Sequence, residues 1–194
     1  MTKIKFCGLK TLDDIYFANE LCPEYVGFVF AQKSKRYVTP AQVEKFRAAL
    51  SEKICAVGVF VNEKISVVAE LLNAGIIDAA QLHGCEDNAY IKNLRALTHK
   101  PIIKAFKVDA NEESLADFVL IDSGAGSGEV FDWRRINLRR EYFLAGGLTP
   151  GNVGAAIKLL KPFAVDVSSG IETDGQKDFN KMKKFAEVVR KNNS

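Results

Sequence analysis

Short apolar runs alternate along the chain with amphipathic segments of helical period. The runs are rich in β-branched and aromatic residues, which is typical of buried strands. They predict eight strands: Lys3–Cys7, Tyr25–Phe30, Ile54–Phe60, Ala79–Leu82, Ile102–Phe106, Phe118–Ile121, Tyr142–Ala145 and Ala164–Val167. Because helical segments separate most of these runs, the pattern favours parallel βα units over hairpins.

The amphipathic segments predict the crossover helices. In one of them Val43, Phe46 and Leu50 share an apolar face. Helices are predicted over Thr11–Leu21, Pro40–Leu50, Ile65–Ala74, Asp87–Leu97, Asn152–Leu160 and Lys177–Lys191. Ala110–Leu115 and Trp133–Leu138 are long enough for only a turn or two, so the fifth and sixth crossovers are expected to be abbreviated.

Eight βα units predict an α/β fold of the closed (β/α)8, or TIM, barrel type. Such barrels usually have about 250 residues, whereas this chain has 194, so its loops must be short. An open doubly wound sheet is the rival architecture, and it often places G-x-G-x-x-G after the first strand. Here Cys7-Gly8-Leu9-Lys10 follows instead. Since no linker or repeat is visible, residues 1–194 are expected to form a single domain.

Charge and hydropathy narrow the range of partners. The 27 basic and 24 acidic residues give a net charge of +3 without any block of like charge, which argues against nucleic acid and anionic membranes. A small anionic ligand suits this balance. No apolar run approaches the roughly 18 residues that a membrane span needs, and the first residues lack a signal-peptide pattern. We therefore expect a soluble, cytoplasmic protein.

The cysteines and histidines lack the spacing of metal sites. The residues concerned are Cys7, Cys22, Cys55, Cys85, His83 and His99. Without a CxxC pair, neither structural zinc nor a disulfide framework is expected, and no cofactor is implied. Cys22, Cys55 and Cys85 are interpreted as small buried hydrophobic residues.

Polar residues cluster where the predicted strands end, which is where a barrel carries its active site. They are Cys7, Gln81, His83, Asp122, Gly146, Gly147, Asp166, Ser168, Ser169 and Gly170. Strand alternation places Lys5 and Cys7 on one face and Ile4 and Phe6 on the other. The charged face must then line the barrel lumen, with a lysine one pleat below a thiol.

Two glycine-containing segments follow strands seven and eight. Gly146 and Gly147 precede a predicted helix, and Ser168, Ser169 and Gly170 repeat the arrangement one strand later. Either segment alone would suggest a tight turn. Together they predict a phosphate site, because adjacent loops of bare backbone N–H groups form the usual anion cradle of this fold.

Seven successive motifs carry a family resemblance that spans nearly the whole chain. They are Lys5-Phe6-Cys7-Gly8-Leu9; Gly27-Phe28-Val29-Phe30; Val57-Gly58-Val59-Phe60-Val61-Asn62; Gln81-Leu82-His83-Gly84; Ile121-Asp122-Ser123 with Gly126-Ser127-Gly128 and Phe131-Asp132-Trp133; Ala145-Gly146-Gly147-Leu148; and Asp166-Val167-Ser168-Ser169-Gly170-Ile171-Glu172. The chain thus resembles the phosphoribosylanthranilate isomerases. It departs from the family at Phe6 and Leu9, where isoleucines are usual, and in a shorter Gly124–Gly128 stretch.

The resemblance implies a cofactor-free Amadori rearrangement in tryptophan biosynthesis. Cys7 matches the family's general base, Asp122 its general acid, and Arg36 the arginine that binds the anthranilate carboxylate. We hypothesise that Lys5 favours the Cys7 thiolate. Asp166 is expected to contact substrate. As the acid, Asp122 must keep its proton near neutral pH, which requires either desolvation or a neighbouring carboxylate, such as Asp166.

Three other functions are weighed. The related isomerase of histidine biosynthesis would carry aspartate in place of Cys7, and a non-catalytic phosphosugar-binding barrel would have no reason to keep both Cys7 and Asp122. A ribulose-phosphate epimerase needs metal ligands that two scattered histidines do not supply. The expected partner is a small phosphorylated molecule, and the chain is either a monomer or a homodimer.

Overall fold

A computed structural model describes residues 1–107, 113–123, 136 and 140–193. Eight parallel strands form one closed barrel in sequential order, and the last strand pairs with the first. The strands are β1 (Lys3–Cys7), β2 (Tyr25–Val29), β3 (Cys55–Phe60), β4 (Ala79–Leu82), β5 (Ile102–Lys107), β6 (Phe118–Asp122), β7 (Tyr142–Ala145) and β8 (Ala164–Val167). The predicted fold class is confirmed.

Among the described residues, six α-helices lie between or after these strands: α1 (Leu12–Leu21), α2 (Pro40–Ala49), α3 (Ile65–Asn73), α4 (Asn88–Arg95), α5 (Val153–Leu160) and α6 (Phe179–Lys191). Several begin at side-chain caps that the sequence supplies. Thr11 with Asp14, and Thr39 with Gln42, form capping boxes at α1 and α2. Asp178 caps α6. Every predicted helix is present, and the ends differ by at most two residues.

The segment after β8 differs from the prediction. Lys177 was expected to begin the last helix, but it belongs to a small hairpin formed by β9 (Glu172–Thr173) and β10 (Gln176–Lys177). Asp174 and Gly175 form its turn with φ angles of 51° and 74°. Asp-Gly is a common pair for such a turn because both residues tolerate positive φ. A 3₁₀ turn, Ser169–Ile171, precedes the hairpin.

The fifth and sixth crossovers show no helix among the described residues, which are 113–117 in the fifth and 123, 136 and 140–141 in the sixth. Half of Ala110–Leu115 and all of Trp133–Leu138 except Ile136 lie outside the described residues. Gly124–Gly128 and Phe131-Asp132-Trp133 lie entirely outside them.

The core has two layers that strand alternation separates. Outward residues such as Ile4, Phe6 and Phe28 pack under the helices, while inward residues such as Leu120 and Phe143 fill the lumen. Phe143 makes edge contacts with Tyr25, Phe118 and Phe163. This apolar plug occupies the amino-terminal end of the barrel, so the polar inward residues collect at the carboxyl ends of the strands.

Candidate active site

A cavity of about 470 Å³ opens at the carboxyl ends of the strands. Nearly all the predicted site residues line it: Cys7, Arg36, Asp122, Gly146, Gly147, Asp166, Ser168 and Ser169. Gln81 and His83 line it as well. Gly170 does not. A Cβ on Gly170 would overlap the Leu148 carbonyl oxygen, so this glycine lets the β8 loop pack against the β7 loop.

The lumen below the cavity holds a buried ion pair. Lys5 is fully buried, and its Nζ lies 2.9 Å from Asp166 Oδ1. Burial alone would lower the pKa of Lys5, but the Asp166 carboxylate and the Cys7 sulfur outweigh burial and raise the pKa. Lys5 is therefore charged at neutral pH. Its side chain lies inside the barrel, as strand alternation predicted. Asp166 was expected to act as a carboxylate neighbour of Asp122; the structure instead pairs it with Lys5.

Cys7 ends β1 and is 8% exposed. Burial raises the pKa of its thiol, and Lys5 and Lys177 act in the opposite direction without outweighing burial. Gly27 on β2 makes room for this arrangement, because a Cβ there would lie 2.7 Å from Cys7 Sγ and 3.2 Å from Lys5 Nζ. Lys5 thus favours the thiolate as we hypothesised, but less strongly than burial opposes it.

The other three cysteines are less buried than we predicted. Cys22 and Cys85 are exposed, and Cys55 is half-buried. The interpretation of Cys22 and Cys85 as buried hydrophobic residues was wrong, because Cys22 ends α1 in a left-handed conformation and Cys85 lies in the β4–α4 loop. Alkylation of this chain would therefore not be selective for Cys7.

Asp122 ends β6 opposite a short polar chain that starts on β4. His83 Nε2 lies 3.5 Å from Asp122 Oδ2, and His83 Nδ1 lies 2.8 Å from Gln81 Nε2. Both Asp122 and His83 are about one-third exposed. The acid predicted from the sequence thus has an imidazole neighbour.

Arg36 forms a two-pronged contact with Glu172. Its Nε and Nη2 each donate a hydrogen bond of 2.7 Å to the carboxylate, and this hydrogen bonding raises the pKa of Arg36. A guanidinium has five N–H donors, and within the described part of the chain Nη1 makes no hydrogen bond, which leaves it available to a ligand carboxylate. If Arg36 binds the anthranilate carboxylate as predicted, that carboxylate must approach the Nη1 end of the guanidinium.

Lys177 is a buried cation that connects Glu172 to the β8 loop. Its Nζ donates to Glu172 Oε1 at 2.7 Å and to the Ser168 carbonyl at 3.0 Å. Burial lowers the pKa of Lys177, and Glu172 offsets only part of that effect. Ser168 Oγ in turn donates to the Cys7 carbonyl at 3.0 Å, so this network reaches the strand of the proposed base.

The two glycine loops present backbone donors. Gly146 and Gly147 adopt φ angles of 92° and 62°, which glycine reaches without steric cost. Asn152 holds the first loop through a hydrogen bond of 2.9 Å from its side chain to the Gly147 carbonyl. Within the described part of the chain, the N–H groups of Gly146, Gly147, Ser169 and Gly170 have no acceptor. They are suited to an anion.

Neither a cluster of metal-ligating side chains nor a membrane-spanning helix occurs among the described residues. No group of three or more His, Cys, Asp or Glu side chains there could hold a metal ion. Among the helices of residues 1–107, 113–123 and 140–193, none is both long and apolar enough to cross a bilayer.

Sequence reasoning gave no role to Glu172, Lys177 or Gln81. Glu172 closes the last of the seven motifs, and Gln81 opens the fourth, so both were visible as motif residues. Lys177 was assigned to a helix, where it would be read as solvent-exposed. Only the hairpin turns it inward.

Comparison with known proteins assigns a family. The sequence model described as "N-(5'phosphoribosyl)anthranilate (PRA) isomerase" matches residues 4–188. N-(5'-phosphoribosyl)anthranilate isomerase from Endomicrobium trichonymphae is 43% identical, with 98% of this chain and 99% of the relative covered. The protein of the same name from Caldanaerobacter subterraneus subsp. tengcongensis is 46% identical, with 98% of both chains covered.

Solved structures agree. The phosphoribosyl anthranilate isomerase of Thermotoga maritima superimposes with a TM-score of 0.86 at 34% identity, covering 98% of this chain and all of that one. A second structure holds reduced 1-(o-carboxyphenylamino)-1-deoxyribulose 5-phosphate and gives a TM-score of 0.84 at 33% identity, with coverage of 98% and 100%. A third, at 33% identity with a TM-score of 0.83 and the same coverage, represents monomers derived from the dimeric Thermotoga maritima protein.

Proposed function

Because this chain belongs to the N-(5'-phosphoribosyl)anthranilate isomerase family, we propose that Cys7 and Asp122 are the proton-transfer groups of its reaction. The chain is an enzyme of tryptophan biosynthesis. It isomerises N-(5-phosphoribosyl)anthranilate to 1-(2-carboxyphenylamino)-1-deoxyribulose 5-phosphate.

The rearrangement needs one acid and one base. A proton delivered to the furanose ring oxygen lets the C1′–O bond break as the nitrogen lone pair forms a C=N bond. Removal of the C2′ proton from this Schiff base then gives the enolamine. One observation carries the assignment: Cys7 on β1 and Asp122 on β6 line the same cavity, so a sugar bound between them has an acid and a base within reach.

Cys7 must be a thiolate to act as the base. Since burial raises the pKa of this thiol, the thiolate fraction is small at neutral pH and grows as the pH rises. Lys5 and Lys177 keep that fraction larger than burial alone would allow. Lys5 is thus a positioning residue for the base.

Binding groups surround the reacting pair. The Gly146–Gly147 loop and the Ser168–Gly170 loop are proposed to hold the phosphate through backbone N–H groups. The free end of Arg36 is proposed to bind the anthranilate carboxylate in a charge-assisted contact. Asp166 lines the cavity beside Lys5 and is proposed to contact the sugar.

We also propose a domain organisation, a cellular location and an oligomeric state for the enzyme. All eight strands belong to one barrel, which supports a single catalytic domain over residues 1–194. All four cysteines are free, and a catalytic thiol must stay reduced, so we propose a cytoplasmic location. Because the Thermotoga maritima relative is dimeric, we propose that this protein is either a homodimer or a monomer.

The experiment follows the loss of phosphoribosylanthranilate fluorescence with purified protein. The wild type is expected to turn over, and Cys7→Ser and Asp122→Asn are each expected to lower kcat by ~10²–10⁴, with affinity for the reduced product retained. Exposed residues supply matched controls in Cys22→Ser and Asp13→Asn, which should keep full activity. A protein that binds the reduced product without any turnover would be a non-catalytic binding barrel. A Cys7→Ser variant with most of the wild-type kcat would show that Cys7 is not the base.

A further inference from the structure

Gln81 carries a buried oxygen without a partner. The side chain faces the lumen near the end of β4, is 1% exposed and lines the cavity that Cys7 and Asp122 share. Within the described residues, its Oε1 is the buried side-chain oxygen or nitrogen that lacks a hydrogen bond. A buried polar atom without a partner destabilises the fold, and a hydrogen-bond donor on a ligand in the cavity removes that penalty.

The other end of the same amide is occupied. Gln81 Nε2 lies 2.8 Å from His83 Nδ1. With the amide in this orientation Nε2 donates and Nδ1 accepts, which places the proton of neutral His83 on Nε2. Nε2 lies 3.5 Å from Asp122 Oδ2. The amide therefore selects the tautomer that donates toward the proposed acid.

The backbone fixes this arrangement. Gln81 and His83 are two residues apart and so share the inward face of β4. The His83 N–H donates to the Phe60 carbonyl at 2.8 Å, which extends the β3–β4 ladder by one residue. The backbone hydrogen bond thus fixes the main chain of His83, and the contact with Gln81 orients its imidazole ring.

We propose that Gln81 is a further functional residue of this site. Its Oε1 accepts a hydrogen bond from a hydroxyl or N–H of the aminosugar, and its Nε2 holds His83 in the tautomer that donates to Asp122. When Asp122 gives its proton to the ring oxygen, the carboxylate that remains accepts the His83 Nε2–H. The inference rests on the proposed function for its chemistry, but not for its geometry.

The tautomer is measured directly and without turnover. The chain has only two histidines, and His99 is exposed, so long-range ¹H–¹⁵N spectra of the wild type and His99→Gln assign His83 at once. At a pH where His83 is neutral, we expect a protonated Nε2 and an unprotonated Nδ1. In Gln81→Met, neutral His83 should populate both tautomers, while the spectrum of His99 should stay unchanged. A wild-type His83 protonated on Nδ1, or one that does not respond to Gln81→Met, overturns the proposal.

Binding tests the free oxygen. Calorimetry with reduced 1-(o-carboxyphenylamino)-1-deoxyribulose 5-phosphate should give a Kd about tenfold weaker for Gln81→Met, a variant of similar length that lacks both polar atoms. His99→Gln should bind like the wild type. Ribose 5-phosphate has hydroxyls but no anilinic N–H, so a matching loss with that ligand identifies a hydroxyl as the donor. A loss with the reduced product alone identifies the N–H, and no loss with either overturns the contact.

Kinetics separates the two roles. Gln81→Met should raise KM and lower kcat, whereas His83→Gln should lower kcat with little change in KM, because it keeps Gln81 in place. Equal KM and kcat for Gln81→Met and the wild type would contradict the inference. If the purified enzyme shows no isomerase activity at all, the function fails while the spectra and the binding data still decide the geometry.

Discussion

Glu172 illustrates how one carboxylate organises several residues. It accepts two hydrogen bonds from Arg36 and one from Lys177, each at 2.7 Å. Partial burial alone would raise the pKa of Glu172, but the hydrogen bonds from Arg36 and Lys177 lower it to about 2. The same residue therefore keeps Lys177 buried next to the β8 loop and turns one edge of the Arg36 guanidinium away from the cavity.

The lowered pKa of Glu172 predicts an acid-dependent loss of stability. A carboxylate whose pKa is lower in the folded state contributes fully above its unfolded pKa and loses that contribution as pH falls through the folded value. The unfolding free energy of the wild type should therefore exceed that of Glu172→Gln most above pH ~5, by up to ~3 kcal/mol, and the difference should shrink toward pH ~2. Urea unfolding followed by circular dichroism at several pH values measures it.

An exposed glutamate supplies the control for this measurement. Glu187 lies on the solvent side of α6, so the stability of Glu187→Gln should differ little from that of the wild type across the same range. A difference between wild type and Glu172→Gln that stays constant from pH 7 to 2 would contradict the role given to the ionised carboxylate.

At the level of elements, loops and helix starts form the proposed anion site. The β7 loop runs through Gly146 and Gly147 into α5, and the β8 loop runs through Ser168 into the 3₁₀ turn. Gly170 brings the two loops into contact, and Asn152 holds the first through the Gly147 carbonyl. Because the donors are backbone N–H groups, the identity of the side chains matters less than the positive φ angles that aim these groups.

Gly147→Val should weaken phosphate binding. At a φ of 62° a β-branched residue is strained, by ~1–2 kcal/mol for the left-handed region, so the loop must move. KM for substrate and the inhibition constant of inorganic phosphate should both rise. Gly75→Val is the matched control, since Gly75 has a φ of 71° with open space around it and lies at the opposite end of the barrel. If both variants raise KM equally, the phosphate is not held at Gly147.

At the scale of the whole molecule, the Lys5–Asp166 pair spans the seam where the barrel closes. β1 and β8 are the first and last strands of the barrel, and Lys5 and Asp166 are register partners across them. Removing one member of a buried pair leaves an uncompensated charge, which usually costs ~3–5 kcal/mol. Removing both members can cost far less. The seam is therefore sensitive to single changes.

Thermal and denaturant unfolding of a double-mutant cycle should show this coupling. Lys5→Met and Asp166→Asn are each expected to lower the unfolding free energy by ~3–5 kcal/mol, and the double variant by much less than the sum. Arg95→Met removes an exposed pair of similar length, Arg95–Asp117 at 2.7 Å, and should cost no more than ~1 kcal/mol. Additive losses at Lys5 and Asp166 would mean that the two charges do not stabilise each other.

The sequence by itself determined the elements, the fold class and most of the residues that line the candidate site. Hydrophobic periodicity records, residue by residue, which side of a strand or helix is buried, so all eight strands were placed to within one residue and the inward position of Lys5 and Cys7 followed. The glycines indicated where the backbone of two neighbouring loops presents N–H groups at the proposed phosphate site. Naming Cys7 and Asp122 as base and acid required the family resemblance, since a strand-end cysteine alone is no evidence of a base.

Only the tertiary structure decided which residues meet. Three contacts join residues from different strands or depend on side-chain rotation. They are the ion pair of Asp166 with Lys5, the hydrogen bonds between Arg36 and Glu172, and the contact of Gln81 with His83. A local pattern encodes the direction of a side chain but not its distant neighbour. The exposure of Cys22 and Cys85 and the inward turn of Lys177 have the same origin. Burial depends on which distant parts of the chain the closed barrel brings against each residue, and a local sequence pattern does not contain that information.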